Sequence, residues 1–433
     1  MQFRTAASLL LLGATSIVSA PLVAQAISPP SQPNIELLTE IPALVIPNET
    51  ADQGSSTAEP TQQISPPQST NFLPQQTELI RNSDALHQNL AQLDLFDKTS
   101  TGYGTQVTRI TSNSAYATTD GNARHNYSKR QVWNLDETLM DVGNKFVDAN
   151  TYSIVRDIPL SSERVWSNTN PNLMYGMAFN GQLLNHFVVH NVHTAETRII
   201  RDFQEYSRCF IGGGEGNLSN DDRYVLLNCQ SAAGNTAVSF DIETNQIIGT
   251  LPLSASYDWG GFSHSGKYIV IANIRIPEQQ SLFRYNKFLG DPLKITTFSG
   301  HADLGVDDNG EDVFVEISWD YVFYYNLATG ERTNLNLSDP VDNIVGHGHI
   351  SCRAILRPGW CYISSYSPDR LASVKISADD AVSETWGHYL SDWRGGGFRA
   401  QPQVSVSPSG RQIIFASNLL GTAEINAYII AIE

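Results

Sequence analysis

The sequence predicts an all-β protein, a seven-bladed β-propeller preceded by a signal peptide and a disordered linker. Three observations predict the propeller: a turn-and-strand motif that recurs along the chain, a spacing that fits four strands per repeat, and the lack of amphipathic helical runs between the strands. A TIM barrel or a doubly wound fold would need a helix of about ten residues between successive strands. No such run is present beyond Ser100.

The first 26 residues have the form of a secretory signal peptide. Arg4 is followed by an apolar run, LLLLGATSIVSAPLVA, and then by Ala24-Gln25-Ala26, the small-x-small pattern that signal peptidase cleaves. The first cysteine is Cys209, too far along the chain to carry a lipid anchor. We therefore expect a periplasmic or extracellular protein, with no second apolar run long enough to span a bilayer.

Residues 27–100 are predicted to be a mostly disordered linker, and residues 101–433 the propeller. The linker is rich in Pro, Gln, Ser and Thr, which bury too little apolar surface to offset the entropy of ordering. One short helix is predicted within it, between Thr77 and Leu95.

The net charge of -17 argues against a nucleic-acid ligand, which requires a basic face. It does not exclude an anionic substrate, because a few Arg, Lys or metal charges concentrated in one cleft determine the local electrostatic field there, whatever the net charge of the chain. We expect a monomer.

A small polar turn followed at once by an apolar strand occurs seven times. The last six turns are separated by about 44 to 51 residues and the first two by about 34. One four-stranded blade takes roughly 40 to 50 residues, so seven turns predict seven blades. The final strand INAYIIAI, together with the early strand QVTRITS, would complete the last blade and close the ring. The seven turns are centred on Glu137, Pro171, Asp222, Gly266, Gly310, Gly359 and Gly410.

The innermost strand of each blade is expected to begin about nine residues before its turn and to open onto one mouth of the central channel. Polar and titratable residues occupy these positions in five of the repeats, so we expect a functional site there. They are His125, Tyr127, Ser128, Tyr257, Asp258, Trp259, His301, Asp303, His347, His349, Arg399, Gln401 and Gln403.

Three of these histidines form a candidate metal site. His347 and His349 lie two apart on a predicted strand and so project from the same face, and His301 lies at nearly the same height in the neighbouring blade. Imidazoles suit divalent ions such as Mn or Zn, and Ca is a further candidate. The alternative is that the three residues solvate the channel mouth without any metal.

Four cysteines in an oxidising compartment can form two disulfides, with three possible pairings. Cys209 and Cys229 flank a loop between two strand-like runs, which favours a structural disulfide. Cys352 and Cys361 flank a Pro-Gly turn, and for them both a disulfide and a Cys/His zinc site remain open.

Acid and base candidates come from His125, Tyr127 and Tyr257. A histidine or tyrosine held near a cation can reach the pKa that proton abstraction requires. The alternative for either tyrosine is burial, with a hydrogen bond to the next blade.

Substrate-binding candidates come from the run DWRGGGFR and from the predicted channel mouth. Arg394 and Arg399 are suited to bidentate binding of a carboxylate, and Trp259 and Gln401 are expected to contact the substrate.

Five phrases of the sequence resemble those of secreted bacterial propellers with Tol-type repeats. They are HNYSKRQVWNLDET, DWGGFSHSGKYIVIAN, GHADLGVDDNGEDV, GHGHISCRAILRPGWCYIS and QPQVSVSPSGRQIIFASN. From about Gly102 onward the layout is similar to that of the propeller-fold polysaccharide lyases, oligogalacturonate lyase and the ulvan lyases. The resemblance implies β-elimination of an acidic (uronate) polysaccharide: a cation or Arg neutralises the carboxylate, a base takes the C5 proton, and an acid serves the leaving oxygen.

The resemblance to oligogalacturonate lyase implies a metal held by three histidines and a glutamine. His347-Gly348-His349 matches the His-x-His unit of that family, and His301 is the third candidate. The sequence departs from the pattern at Ile344, where the glutamine is expected. Gln401 or Gln403 would have to replace it, or the metal is absent.

The resemblance to the ulvan lyases implies instead a His, Tyr and Arg site with a separate structural zinc. His125, Tyr257 and Arg399 would then be catalytic, and Cys352 and Cys361 would hold the zinc.

A function of a different class is also open, namely a non-catalytic propeller acting as a binding or envelope-associated module tethered by its Pro/Gln-rich segment. A hydrolase of the peptidase type is disfavoured because no Gly-x-Ser-x-Gly motif is present.

Overall fold

A computed structural model of the chain describes residues 95, 98–101, 103–116, 122–178, 184–297, 301–318, 321–335, 337, 348–366, 369–392, 397–419 and 424–432. The predicted signal peptide, nearly all of the predicted linker with its helix, and the candidate residues His347 and Arg394 lie outside these ranges. The first described strand begins at Lys98, three residues before the predicted start of the propeller.

The strands form seven sheets, one per blade, which confirms the predicted seven-bladed all-β propeller. Blades two to six are four-stranded antiparallel sheets in which neighbours in sequence are neighbours in space. The N-terminal segment and blade one contain β1 (Lys98–Ser100), β2 (Gln106–Arg109), helix α1 (Asn113–Tyr116), β3 (Asn122–Ala123), β4 (Leu139–Val142), β5 (Lys145–Asp148) and β6 (Ile154–Asp157).

The next three blades follow in chain order, each with its innermost strand first. They contain β7 (Leu160–Trp166), β8 (Leu173–Ala178), β9 (His186–Asn191), β10 (Thr197–Asp202), β11 (Arg208–Ile211), β12 (Tyr224–Ser231), β13 (Gly234–Asp241), β14 (Gln246–Pro252), β15 (Tyr257–Phe262), β16 (Tyr268–Asn273), β17 (Ser281–Asn286) and β18 (Leu293–Thr296).

The last three blades contain β19 (His301–Val306), β20 (Asp312–Ser318), β21 (Tyr321–Asn326), β22 (Arg332–Asn334), β23 (Gly348–Ser351), β24 (Trp360–Tyr366), β25 (Asp369–Lys375), β26 (Ser383–Gly387), β27 (Ser405–Val406), β28 (Gln412–Ser417) and β29 (Ile425–Ala431). Short 3₁₀ turns at Gly212–Gly214, Pro277–Gln279 and Phe398–Ala400 connect some of these strands.

The seven predicted turns lie directly before the second strand of each blade, or before β4 in blade one. Six of the seven central residues have a left-handed backbone, and four of these are glycine, which adopts it without steric cost. Pro171 is the exception, because its ring fixes a negative φ. The spacing of these turns in the sequence therefore follows one backbone feature repeated in six of the seven blades.

Blade one is irregular at its inner edge. Where the other blades have a regular inner strand, it has two isolated bridges, His125 to Val142 and Trp133 to Met140. The sheet proper starts with β4. The turn of this blade is also the one that is separated from the next turn by the shortest spacing, about 34 residues. The segment between the two bridges carries several of the site residues described below.

The ring is closed by the N-terminal segment, as predicted. β2 pairs antiparallel with β29, with Val107 opposite Ile430, and β1 pairs with β2 on the outside. Beside this closure the Tyr103 hydroxyl lies 3.0 Å from Nε2 of His388, which follows β26 of blade six.

The core consists of apolar clusters between adjacent blades, built from side chains that alternate along each strand. Trp133, Tyr362 and Phe314 are among the largest fully buried side chains. Burial of one such apolar side chain contributes roughly 1.5–3 kcal/mol to folding. The clusters fix each blade against its neighbour and so fix the positions of the inner strands.

Both candidate disulfides are formed. Cys209 pairs with Cys229 across β11 and β12, as predicted. Cys352 pairs with Cys361, which decides between the two alternatives left open by the sequence. The assignment of these two cysteines as metal ligands is therefore corrected, because a metal binds the free thiolate and both sulfurs are engaged in the disulfide.

None of the helices in the described ranges has the length and apolar composition needed to cross a membrane.

Candidate functional site

A cavity of about 440 Å³ brings together side chains from blade one, the loop after β11 and the segment before β27. Three of the predicted catalytic residues line it: His125, Tyr127 and Arg399. The full lining is Asn122, Arg124, His125, Asn126, Tyr127, Gly213, Gly214, Glu215, Phe398, Arg399 and Gln403.

Tyr127 connects this cavity to the predicted histidine cluster. Its hydroxyl lies 3.4 Å from Nδ1 of His301, and its ring meets the ring of His349 edge to face at 5.2 Å. The rings of His301 and His349 are 4.4 Å apart, centroid to centroid. His301 begins β19 and His349 lies in β23, so two neighbouring inner strands bring these imidazoles together, as the nine-residue count predicted.

Burial sets the protonation of two histidines in the cluster. It lowers the pKa of His349 well below the ordinary value, and the charges of His301, Arg124 and Lys129 lower it further. Burial lowers the pKa of His125 to about 3, with the charge of Arg124 adding to the effect. Both rings are therefore neutral near pH 7.

His125 is also fixed in orientation. Its Nε2 donates to the carbonyl oxygen of Gln403 over 2.7 Å, an interaction that raises its pKa but does not offset burial. Its Nδ1 is buried and has no hydrogen-bond partner among the described residues. With a pKa near 3 this ring is a weak base, since general bases work best when their pKa lies near the operating pH.

Arginine side chains provide positive charge at the cavity. Arg124 donates from its guanidinium to the side-chain oxygen of Gln403 and to the backbone carbonyl of Arg399. This cross-link joins blade one to the turn before β27. The guanidinium of Arg124 is thereby held at the wall, and Arg399 is exposed beside it.

A buried lysine, Lys129, lies beside Tyr127. Lys129 Nζ forms an ion pair with Glu215 over 2.6 Å and lies 3.6 Å from the centre of the Trp259 ring and 5.6 Å from that of Tyr127. A cation over an aromatic face is attracted by the ring quadrupole. Lys129 therefore orients the carboxylate of Glu215 at the cavity and lies over the ring of Tyr127.

The loop that carries Glu215 depends on glycine. Gly212 has φ of 55°, and a Cβ there would lie only 2.0 Å from the carbonyl oxygen of Gly260 in the next blade. The buried Arg130 donates to the Gly214 carbonyl over 3.0 Å, and this hydrogen bond fixes the loop to blade one. A larger side chain at Gly212 would push the loop, and with it Glu215, away from this position.

A second buried ion pair joins the strands that carry the histidines. The Asp303 carboxylate accepts hydrogen bonds from the Cys352 backbone N–H at 2.8 Å and from the Arg353 guanidinium at 3.3 and 3.4 Å. Arg353 also donates to the Leu304 carbonyl at 2.7 Å. Asp303 follows His301 by two residues, so this contact fixes β19 against the chain that follows β23.

Other predicted site residues lie away from the cavity. Tyr257 is buried against Tyr224 and Leu226, and its hydroxyl lies behind Gly213. Burial raises its pKa well above the ordinary value, with the charges of nearby carboxylates adding. Trp259 is buried under Lys129.

Gln401 is half-buried and does not line the cavity, and its side-chain oxygen has no hydrogen-bond partner among the described residues. Gln403, the other replacement considered for the missing glutamine, uses its side-chain oxygen to accept from Arg124. A metal at the histidines would therefore compete with Arg124 for Gln403.

Four charged or aromatic residues in or beside the cavity were not among the sequence candidates: Arg124, Lys129, Glu215 and Phe398. A signal was present for three of them. Arg124 and Lys129 flank the His-Asn-Tyr triplet in RHNYSKR, and Glu215 follows three consecutive glycines, an arrangement that brings a backbone close to its neighbours. Phe398 had no distinguishing signal.

The fit of a metal can be judged from the histidines. Two imidazoles with ring centres 4.4 Å apart, one of them held neutral, are suited to share a divalent ion. Within the described ranges no group of three or more His, Cys, Asp or Glu residues is arranged to hold one. The third predicted ligand, His347, lies outside those ranges. Among the described residues, His301 and His349 would thus fill two of the ligand positions of such a site.

No protein-family model and no curated protein sequence matches the chain. Among solved structures, an oligogalacturonate lyase in complex with manganese is 13% identical over 78% of this chain and 96% of its own, with a TM-score of 0.55. An oligogalacturonate lyase from Vibrio parahaemolyticus gives the same identity and coverage, with a TM-score of 0.53. TolB from Acinetobacter baumannii is 10% identical over 60% of this chain and 63% of its own, with a TM-score of 0.36. At these identities the chain shares with oligogalacturonate lyase the propeller fold alone.

Proposed function

We propose that the cavity binds a uronate-containing polysaccharide and cleaves it by β-elimination. The observation that carries the proposal is the Tyr127 hydroxyl, 3.4 Å from His301 Nδ1, in a cavity that also contains the guanidinium groups of Arg124 and Arg399. A proton-transferring group and a cation at one point are what this elimination requires. The likeness in fold to oligogalacturonate lyase supports the same reading.

The reaction needs a proton removed from C5 of the uronate and a proton supplied to the oxygen that leaves C4. In the proposed mechanism Tyr127, in its ionised form, takes the C5 proton. The electron pair of the C5–H bond forms the C4–C5 double bond as the bond from C4 to the glycosidic oxygen breaks. Tyr127 then gives its proton to that oxygen, and His301 orients the phenolic oxygen of Tyr127 throughout.

The carboxylate of the substrate is assigned to Arg399, as the sequence predicted, with Arg124 beside it. Neutralising this group lowers the cost of the negative charge that develops when C5 loses its proton. Arg399 is exposed at the cavity, which suits it to bind the substrate. A divalent ion at His301 and His349, when bound, would supply further positive charge for the same carboxylate.

The test is absorbance at about 235 nm during incubation of the mature protein with polygalacturonate, ulvan, alginate and glycosaminoglycans, with and without chelator. We expect a rise with at least one of them, and a loss of roughly 100-fold or more in kcat for Tyr127→Phe. The matched control is Tyr321→Phe, because Tyr321 is 58% exposed and does not line the cavity. Full activity of Tyr127→Phe would refute the assignment of this residue.

Absence of any absorbance change would favour the other candidate class, a binding module. Calorimetric titration with the same polysaccharides distinguishes the two outcomes. Binding without cleavage would support the proposed ligand and contradict the proposed reaction. Absence of both binding and cleavage would refute the proposal as a whole.

A further inference from the structure

Phe398 is an exposed aromatic residue at the edge of the cavity that the proposed mechanism does not use. The residue is 59% exposed, among the highest values for large apolar residues in the described chain. One face of the ring lies along Tyr127, with centroids 6.1 Å apart and planes 20° apart. The ring also meets His349 edge to face at 6.4 Å. More than half of the Phe398 surface is therefore accessible at the cavity.

The backbone under Phe398 is held in place. The Phe398 carbonyl accepts from the Gln401 N–H at 3.2 Å and from the side-chain amide of Gln403 at 3.4 Å. The carbonyl of Arg399, the next residue, accepts from Arg124. An exposed apolar ring on a fixed turn loses little entropy on binding, which is the condition for a preformed contact surface.

We infer that Phe398 is an aromatic subsite that stacks on the pyranose ring of the sugar next to the reacting uronate. This inference rests on the proposed function. The C–H face of a sugar ring packs on an aromatic face, and the neighbouring Arg399 and Arg124 provide the charge for the carboxylates that such a chain carries. An aromatic ring, Phe398, beside two cations, Arg124 and Arg399, therefore suits an oligouronate better than a single uronate.

The inference predicts a change in substrate binding with little change in the chemical step. Phe398→Ala should raise KM for a trisaccharide or longer oligouronate about tenfold, while kcat stays within about twofold, since loss of uniform binding acts on KM alone. Phe398→Trp should keep the wild-type KM, because it keeps an aromatic face at this position. KM for a disaccharide should change less than KM for the longer substrates.

The matched control is Phe288→Ala. Phe288 is 57% exposed, nearly the same fraction as Phe398, but it lies in the turn between β17 and β18 and does not line the cavity. This variant should leave KM unchanged, which separates the role of the subsite from a general effect of removing a surface phenylalanine.

Binding measured without turnover gives the second readout. Titration of Tyr127→Phe and of Tyr127→Phe/Phe398→Ala with intact oligouronate should give dissociation constants about tenfold apart. Equal constants would overturn the subsite while leaving the lyase proposal in place. A lower kcat at constant KM in Phe398→Ala would also overturn it, because the ring would then support Tyr127 rather than the sugar. No binding of oligouronate by the wild type would overturn both proposals.

Discussion

Removal of the Asp303 carboxylate should destabilise the propeller more than any surface charge change. Its side chain is 3% exposed and that of its partner Arg353 is 4% exposed. Asp303→Ala would leave the Arg353 guanidinium buried without a counter-charge and the Cys352 N–H without its acceptor. Both groups were taken out of water when the chain folded, so neither loss is compensated by solvent in the folded state.

The magnitude follows from these two losses. Breaking a buried ion pair by removing one partner costs about 3–5 kcal/mol, mostly because the remaining charge stays buried. The orphaned backbone N–H belongs to the same network, so its cost of about 1–3 kcal/mol is not simply additive. We therefore expect Asp303→Ala to lower the free energy of unfolding by about 4 kcal/mol. Replacing both partners, as in Asp303→Leu/Arg353→Met, should recover part of that loss, because no buried charge is left unpaired although the Cys352 N–H still lacks its acceptor.

The assay is equilibrium unfolding in urea at pH 7, with the disulfides intact. Asp157→Ala is the control, because Asp157 pairs with Lys145 but is 79% exposed, and such surface pairs contribute less than about 1 kcal/mol. If Asp303→Ala unfolds within about 1 kcal/mol of the wild type, or if the double variant is less stable than Asp303→Ala, the buried-pair argument is wrong.

Two further outcomes concern stability outside the cavity. Replacing Cys352 and Cys361 together by alanine should cost about 2.5 kcal/mol, the chain-entropy value for a loop closed at a sequence separation of 9, measured by urea unfolding of oxidised protein against the variant. Burial raises the pKa of Glu316 from 4.5 to about 7, opposed by Arg332. The folded state thus holds the Glu316 proton more tightly than the unfolded state, and this contribution to stability is present below pH 4.5 and lost as pH rises through about 7, at no more than about 1.4 kcal/mol per pH unit. Glu316→Gln should flatten that dependence, and an unchanged slope between pH 5 and 8 would contradict it.

The blade positions could be predicted from the sequence because one local feature repeats. The turns at Gly266, Gly310 and Gly410 need a left-handed residue directly before an apolar strand, and both features are visible in the residues themselves. Counting back from such a turn also located His301, which begins its inner strand. Local backbone chemistry and fixed strand length are sufficient for this part of the fold.

The direction of individual side chains could not be predicted in the same way. Tyr257 and Trp259 are two apart on β15, so regular alternation would put them on the same face. A register shift between them breaks the alternation, and they pack in different clusters, Tyr257 against Tyr224 and Trp259 against Phe314. A bulge of this kind depends on pairing with the neighbouring strand, which sequence spacing does not contain.

The composition of the site depends most on the irregular part of the ring. Tyr127 and Lys129 lie between the two isolated bridges of blade one, where no regular inner strand forms, and Arg124 directly precedes the first bridge. A regular strand would point Tyr127 and Lys129, which are two residues apart, to the same face, but here Tyr127 reaches His301 of blade five while Lys129 reaches Glu215 in the loop of blade three. The segment therefore connects distant blades across the ring. Among the described blades, this irregular segment is the part of the inner edge that brings Tyr127 to His301 and the buried Lys129 to Glu215.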